Sequence, residues 1–142
     1  MPLAEKKAWA IAQTQSQWDM VTINPSLVLG PGINPNGTSE SFQFIKKFGD
    51  GSYRTGVPDF HFGVVDVRDV ALAHIAAAFK PEANGRYIVL GHNTSLIEIA
   101  DILREFYSDT YPFPKRVLPK IFACLFGPIV DRSLTRTVLS RN

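Results

Sequence analysis

Asn24-Pro25-Ser26-Leu27 is the stretch best suited to hold a ligand. Proline has no amide hydrogen and interrupts a strand ladder, so a proline-broken strand end leaves backbone donors and acceptors for another partner. Ser26 adds a hydroxyl. The competing reading is a plain strand terminator. Ser39 and Ser41 open a predicted helix, where anions are favoured; simple capping by serine competes with that role. Tyr53 and Arg54 fall in a Gly- and Asp-rich loop, 49–58, where the ring faces either a ligand or solvent, the surface position being preferred. Phe42, Phe44, Phe48, Tyr53 and Phe60 suit an apolar substrate wall and ordinary core packing equally well. Asp66 and Asp69 suggest acid–base work or, preferably, a strand end followed by a helix cap at Asp69, with Arg68 able to pair with either. His61, His74 and His92 have no carboxylate or cysteine at metal-ligand spacing, and Cys124 alone makes neither a zinc site nor a disulfide.

The elements that must position these groups follow from periodicity. Leu3 to Gln17 is rich in Ala, Glu, Lys and Gln and predicts a helix. Asp19 to Leu29 predicts a strand buried on both faces, broken at Asn24-Pro25. Residues 30–38 are turn formers, and Gly30-Pro31-Gly32 is no phosphate-binding loop because it lacks a third glycine and a following helix. A helix follows over Ser39 to Phe48 with Phe42, Ile45 and Phe48 inward. Phe60 to Val67 predicts an extended segment, and Asp69 opens a helix through Ala78. Arg86 to Leu90 predicts a strand. Ser95-Leu96-Ile97-Glu98 predicts a capping box for a helix reaching Tyr107, with Leu96, Ile99, Ile102, Leu103 and Phe106 inward. Pro112, Pro114 and Pro119 mark a linker, and residues 120–142 a helical tail broken at Gly127-Pro128. The order helix, strand, helix, helix, strand, helix implies an α/β fold with parallel pairing, yet two main strands are too few for a whole doubly wound sheet.

Composition narrows the class. At 142 residues with 45% hydrophobic and 20% charged content, the chain suits one globular domain. A net charge of +2 drives it onto neither nucleic acid nor an anionic membrane. No apolar run reaches the roughly 18 residues of a membrane span. Lys115, Arg116, Lys120, Arg132, Arg136 and Arg141 make the C-terminal third basic, read as a solvated face in preference to a membrane-surface helix.

Three stretches carry a resemblance: Pro2-Leu3-Ala4-Glu5-Lys6-Lys7-Ala8-Trp9, Thr22-Ile23-Asn24-Pro25-Ser26-Leu27-Val28-Leu29-Gly30-Pro31, and Val65-Asp66-Val67-Arg68-Asp69-Val70-Ala71-Leu72-Ala73-His74. Asn84-Gly85-Arg86-Tyr87-Ile88 is a weaker fourth. In this order they resemble extended short-chain dehydrogenases/reductases of the epimerase/dehydratase superfamily, nearest the dihydroflavonol reductase and cinnamoyl-CoA reductase branch. The fold implied is an incomplete Rossmann-type α/β fold: a single domain holding the last Rossmann elements and a substrate-binding region.

The resemblance implies NADP(H) as the parent enzyme's cofactor, with Pro25, Ser26, Leu27 and Val28 at the nicotinamide and Ser39 and Ser41 reaching the pyrophosphate. Phe42, Tyr53 and Arg54 are the candidates for the substrate side, and the resemblance implies a small-molecule ketone or aldehyde as substrate. In this family a tyrosine donates a proton to the carbonyl, and a lysine four residues later lowers its pKa. That pair is expected to lie outside the chain, with Met1 at the lysine position and Asn142 before the family's last segment, so no catalytic residue is assigned. The glycine-rich phosphate loop is missing as well. The expectation is therefore a cytoplasmic reductase piece, inactive by itself and a weak binder of cofactor. Two alternatives stay open. One is a nucleotide-sugar epimerase/dehydratase or sterol dehydrogenase-like fragment; the loop after Gly30-Pro31 lacks the basic groups a diphosphate would want. The other is a non-enzymatic binding module, with homodimerisation through the first helix.

Overall fold

The computed structural model describes residues 2–34 and 38–119; the expected helical tail lies outside them. The chain divides into two compact units, one formed by the residues up to Pro31 with Val64–His92, the other by Gly32–Gly63 with the residues from Asn93 onward.

The first unit begins with α1 (Leu3–Ala12), five residues shorter than the periodicity predicts. The side chain of Gln15 stops it: its amide donates to Ala12 O at 3.2 Å and Trp18 O at 2.7 Å. Its carbonyl oxygen accepts from Gln17 N at 2.7 Å. These bonds satisfy backbone groups that a longer helix would have paired internally. The predicted strand 19–29 is two strands, β1 (Val21–Pro25) and β2 (Leu27–Leu29), in different sheets. The break falls at Ser26 rather than at Asn24-Pro25. Pro25 closes β1 opposite Val89, and the Ser26 amide donates to Val89 O at 3.0 Å. Proline is tolerated there because it occupies the last ladder position.

β1 pairs parallel with β5 (Gly85–Val89), Val21 opposite Gly85. β2 pairs parallel with β4 (His61–Asp66), Leu27 opposite Val64. Between β4 and β5, which lie in different sheets, runs α3 (Val67–Phe79). The acid that caps α3 is Asp66 and not Asp69: Asp66 Oδ1 accepts from the Arg68 amide at 2.8 Å, while Asp69 sits in the first turn. Val64 and Val65 are buried, whereas Leu72, Ile75, Phe79 and Ile88 are more than half exposed.

The second unit holds α2 (Glu40–Gly49), β3 (Val57–Pro58), β6 (His92–Ser95, from Asn93 onward), α4 (Leu96–Tyr107), a 3-10 turn at Ser108–Thr110 and β7 (Val117–Leu118). Neither β6 nor β7 was expected; both are too short to show a period. The capping box is formed as predicted. Ser95 Oγ accepts from the Glu98 amide at 3.3 Å, and the Glu98 carboxylate accepts from the Ser95 amide at 2.7 Å.

This unit's core is Phe48, Tyr53, Val57, Leu96, Ile99, Ala100 and Phe113. Phe44 and Ile45 pack against it, while the expected Phe42 is half-exposed. In α4 the inward stripe is Leu96, Ile99, Ala100 and Leu103; Ile102 and Phe106 face solvent. The proline-rich stretch is no free linker. Pro114 is fully buried, its carbonyl accepts from Arg104 Nη1 at 3.3 Å, and β7 pairs parallel with β3. Gly56 allows that pairing. Its φ is +131°, and a Cβ there would come within 2.8 Å of Arg116 O, the acceptor of the Val57 amide at 3.1 Å.

Candidate functional site

In the first unit, Thr22, Asn24 and Ser26 alternate along one run of backbone. Thr22 Oγ1, Asn24 Nδ2 and Ser26 Oγ are all buried without a hydrogen-bond partner. Buried polar atoms are seldom left so, since each costs its desolvation without return. The Ser26 amide, by contrast, is taken by Val89 O. The proline break therefore does not free this donor, and the polar capacity on offer is side-chain rather than backbone. β2 carries Leu27 and Val28 onward, half-buried, into the ladder with β4. Pro25, Ser26, Leu27 and Val28 thus stand together at the β1–β2 junction.

A charged network ties α1 to this strand pair. Arg86 Nε donates to Glu5 Oε1 at 2.7 Å, and Arg86 Nη2 reaches Glu5 Oε2 and Asn24 Oδ1, each at 3.4 Å. The bond from Arg86 holds the Glu5 carboxyl below its ordinary pKa. Neither Glu5 nor Arg86 was singled out from sequence: they lie 81 positions apart, and no local pattern joins them. The network fixes Asn24 Oδ1 toward Arg86 and so leaves Asn24 Nδ2 as the unpartnered end.

At the β4–α3 junction Arg68 pairs with Asp66 and not Asp69. Nε donates to Asp66 Oδ1 at 2.8 Å and Nη2 to Oδ2 at 2.6 Å. This two-pronged bond, with the Arg68 amide, lowers the Asp66 pKa to about 2. An acid so held is a cap and an anchor, not a proton donor near neutrality. Gly30 lies beside it: a Cβ at Gly30, where φ is +141°, would meet Val67 Cγ1 at 2.7 Å.

In the second unit, Ser39 stands at the N-cap of α2, yet its side chain makes no capping hydrogen bond. Ser41 is half-buried in the first turn. Phe42 folds over Gly32, where a Cβ would meet the ring at 2.3 Å. Tyr53 is not the surface aromatic preferred from sequence. It is 9% exposed and meets Phe48 edge to face at 5.2 Å. Arg54 is exposed. Phe44 meets Phe48 and Phe62 in similar geometry at 5.4 and 5.8 Å, so much of the aromatic stretch 42–62 is core.

Tyr111 and Lys115 are four apart, so the tyrosine–lysine spacing does occur within the chain. The structure removes them as a catalytic pair. Tyr111 is extended and Pro112 and Pro114 separate the two, so no helical turn stacks phenol and ammonium. Lys115 Nζ lies 3.2 Å from Asp109 instead. The histidines bond locally, His61 to Asp59 at 3.2 Å and His74 Nδ1 to Val70 O at 2.8 Å. No cluster of three metal-ligating side chains exists among the described residues. No helix among them is long and apolar enough to cross a membrane.

No family model matches the sequence. Cinnamoyl-CoA reductase 2 of Arabidopsis thaliana is 38% identical over 114 residues, covering 80% of this chain and 33% of that protein. Anthocyanidin reductase of the same plant is 37% identical over 113 residues, covering 74% and 32%. Among solved structures, the yeast methylglyoxal/isovaleraldehyde reductase Gre2 complexed with NADPH superposes with a TM-score of 0.65 at 26% identity, covering 80% of this chain and 39% of that one. The chain spans about a third of the length of the curated relatives it matches. The Rossmann-type α/β character expected from the motifs is borne out by the parallel pairing and by these neighbours. With its motifs at the β1–β2 and β4–α3 junctions and relatives that include cinnamoyl-CoA and anthocyanidin reductases, the chain belongs to the extended short-chain dehydrogenases/reductases, in the cinnamoyl-CoA and dihydroflavonol reductase-like branch.

Proposed function

We propose that this chain forms part of an NADP(H)-dependent reductase of ketone or aldehyde groups on hydrophobic or aromatic small molecules, acting in the cytoplasm. The observation that carries the proposal is the buried, unpartnered Ser26 hydroxyl at the β1–β2 junction, with Asn24 Nδ2 beside it in sequence. A carboxamide offers both a donor and an acceptor to such atoms, so the residues fit the nicotinamide end of the cofactor. NADPH, when bound, supplies hydride. The chain's own contribution is to position and to exclude water. Pro25 ends β1 so that Ser26 sits between two ladders; Leu27 and Val28 give an apolar floor; the Glu5–Arg86–Asn24 network holds the strand against α1. Ser39 and Ser41 at the head of α2 suit the pyrophosphate, and the exposed Phe42 and Arg54 the substrate side; Tyr53, buried against Phe48, serves that side only through packing. No residue of the chain is given the proton-transfer role. The chain by itself is expected to be inactive and to bind NADPH weakly, for want of a glycine-rich phosphate loop.

An NMR titration with NADPH tests this. Amide shifts confined to Asn24–Val28 and the head of α2, at millimolar rather than micromolar cofactor, are expected. Ser26→Ala should abolish the shifts at 24–28 while the melting temperature holds or rises, because the substitution removes an unsatisfied buried hydroxyl. Shifts elsewhere would reject the site. Turnover of a carbonyl substrate by the chain would reject the claim of inactivity.

A further inference from the structure

The second unit carries a cleft of about 700 Å³ whose lining includes Arg54, Lys115 and Arg116, with Asp109, Thr110 and Tyr111. We propose that this cleft is an anion site that takes the phosphate groups of a diphosphate ligand. It goes beyond the reductase reading, shares only Arg54 with it, and needs nothing from the β1–β2 junction.

The case begins with charge. Among the described lining residues three cations stand with one carboxylate, and Asp109 is engaged by Lys115 at 3.2 Å in a pair whose members are 90% and 69% exposed. So open a pair exchanges partners at little cost. The remaining two cations are both guanidiniums. Arg116 is held by one nitrogen: Nε donates to Thr55 O at 3.0 Å, which fixes the side chain along the wall and leaves its terminal nitrogens for another acceptor. Arg54 sits on the turn that starts this wall, its amide bonded to Gly51 O at 3.0 Å. Arg54 is exposed and its guanidinium meets no acidic group among the described ion pairs.

Guanidinium forks match phosphate oxygens two at a time, which is why arginine dominates phosphate recognition. A carboxylate would use one fork and leave the rest of the donors unmet. A diphosphate presents enough oxygens for both forks and the ammonium, and the hydroxyls of Thr110 and Tyr111 add donors on the same lining. The wall is also rigid where it matters. Arg116 precedes β7, whose pairing with β3 fixes Val57 opposite Val117. Behind Tyr111, the rings of Tyr107 and Phe113 stand at 5.9 and 5.7 Å. Tyr111 itself is 48% exposed, a surface on which a purine can stack. Diphosphate chemistry comes from two sources, inorganic pyrophosphate and a nucleoside diphosphate, and Tyr111 distinguishes them.

Calorimetric titration of the whole chain with inorganic pyrophosphate and, separately, ADP tests the site, with NMR shifts at 109–116 locating it. Both ligands should bind, and binding should weaken as salt is raised from 0.05 to 0.5 M. Arg54→Ala and the charge reversal Arg54→Glu should weaken pyrophosphate by about fivefold and by more than tenfold respectively. Neither substitution touches a bond of the fold, so the melting temperature should be unchanged. ADP binding tighter than pyrophosphate, with the difference lost in Tyr111→Ala, supports a nucleotide; equal binding supports the phosphate site alone. No binding of either ligand, or binding indifferent to Arg54→Glu, overturns the proposal. A negative NADPH titration at Asn24–Val28 leaves it standing, because the two readouts fall on different residues.

Discussion

Phe48→Ala should undo the second unit's core. Phe48 is wholly excluded from solvent. Its ring makes edge-to-face contacts with Phe44 at 5.4 Å and Tyr53 at 5.2 Å, inside a cluster shared with Val57, Leu96, Ile99, Ala100 and Phe113. Truncating a buried Phe to Ala costs about 3–5 kcal/mol, part transfer and part cavity. Two aromatic contacts at about 0.5–1.5 kcal/mol each lie within that figure. Phe48→Leu keeps most of the apolar volume and forfeits the ring contacts, so it should cost about 1–3 kcal/mol. Hydrogen exchange of the α4 amides around Ile99 to Leu103 reads the loss directly. Protection should fall by roughly 100-fold or more in the alanine variant, since each 1.4 kcal/mol is a factor of ten. The leucine variant should fall between it and the parent. A drop below about tenfold in Phe48→Ala would refute the claim that this unit is organised around Phe48.

Two further outcomes follow from local geometry. Asp66 has a pKa lowered to about 2, first by the Arg68 side chain and then by the Arg68 amide. A depressed acid stabilises the fold fully above the ordinary carboxylate value near 4 and loses that contribution as pH falls toward 2. Arg68→Ala should therefore raise the Asp66 midpoint, followed by carboxyl-carbon NMR, yet leave it below 4 because the backbone cap bond survives; an unchanged midpoint would contradict the pairing. Gly56→Ala should lower the urea midpoint by the equivalent of about 1–3 kcal/mol, because the new Cβ meets Arg116 O at 2.8 Å at a φ of +131°; a variant as stable as the parent would mean that β3 and β7 do not approach as described.

What the sequence by itself determined is whatever a few neighbouring residues decide. Helix α4 starts where Ser95 and Glu98 can exchange bonds across three positions, and both partners are visible in a single turn of sequence. The helical spans of α2 and α3, the extended segment before Asp66 and the family motifs were legible for the same reason: each is a pattern within about ten residues. Tertiary structure decided the rest. Asp66 and Asp69 are chemically alike, and only the path of β4 into α3 makes Asp66 the cap and Arg68 its partner. Phe44 rather than Phe42 faces the core because the aromatic cluster around Phe48 sets which side of α2 is inward. Tyr53 looked like a surface residue from its turn-forming neighbours, but Phe48 draws it inside. Tyr111 and Lys115 have the spacing of a catalytic pair and the wrong backbone between them. The candidate site shows the division most clearly. Its proposed place at Asn24–Leu27 could be read from a proline in a strand, whereas the buried polar atoms that support the proposal could not. The Ser26 amide is consumed by Val89 and the Asn24 carbonyl by Arg86, partners more than 60 residues away. Only their arrangement leaves the Ser26 hydroxyl and the Asn24 amide nitrogen, together with the Thr22 hydroxyl, buried without partners among the described residues.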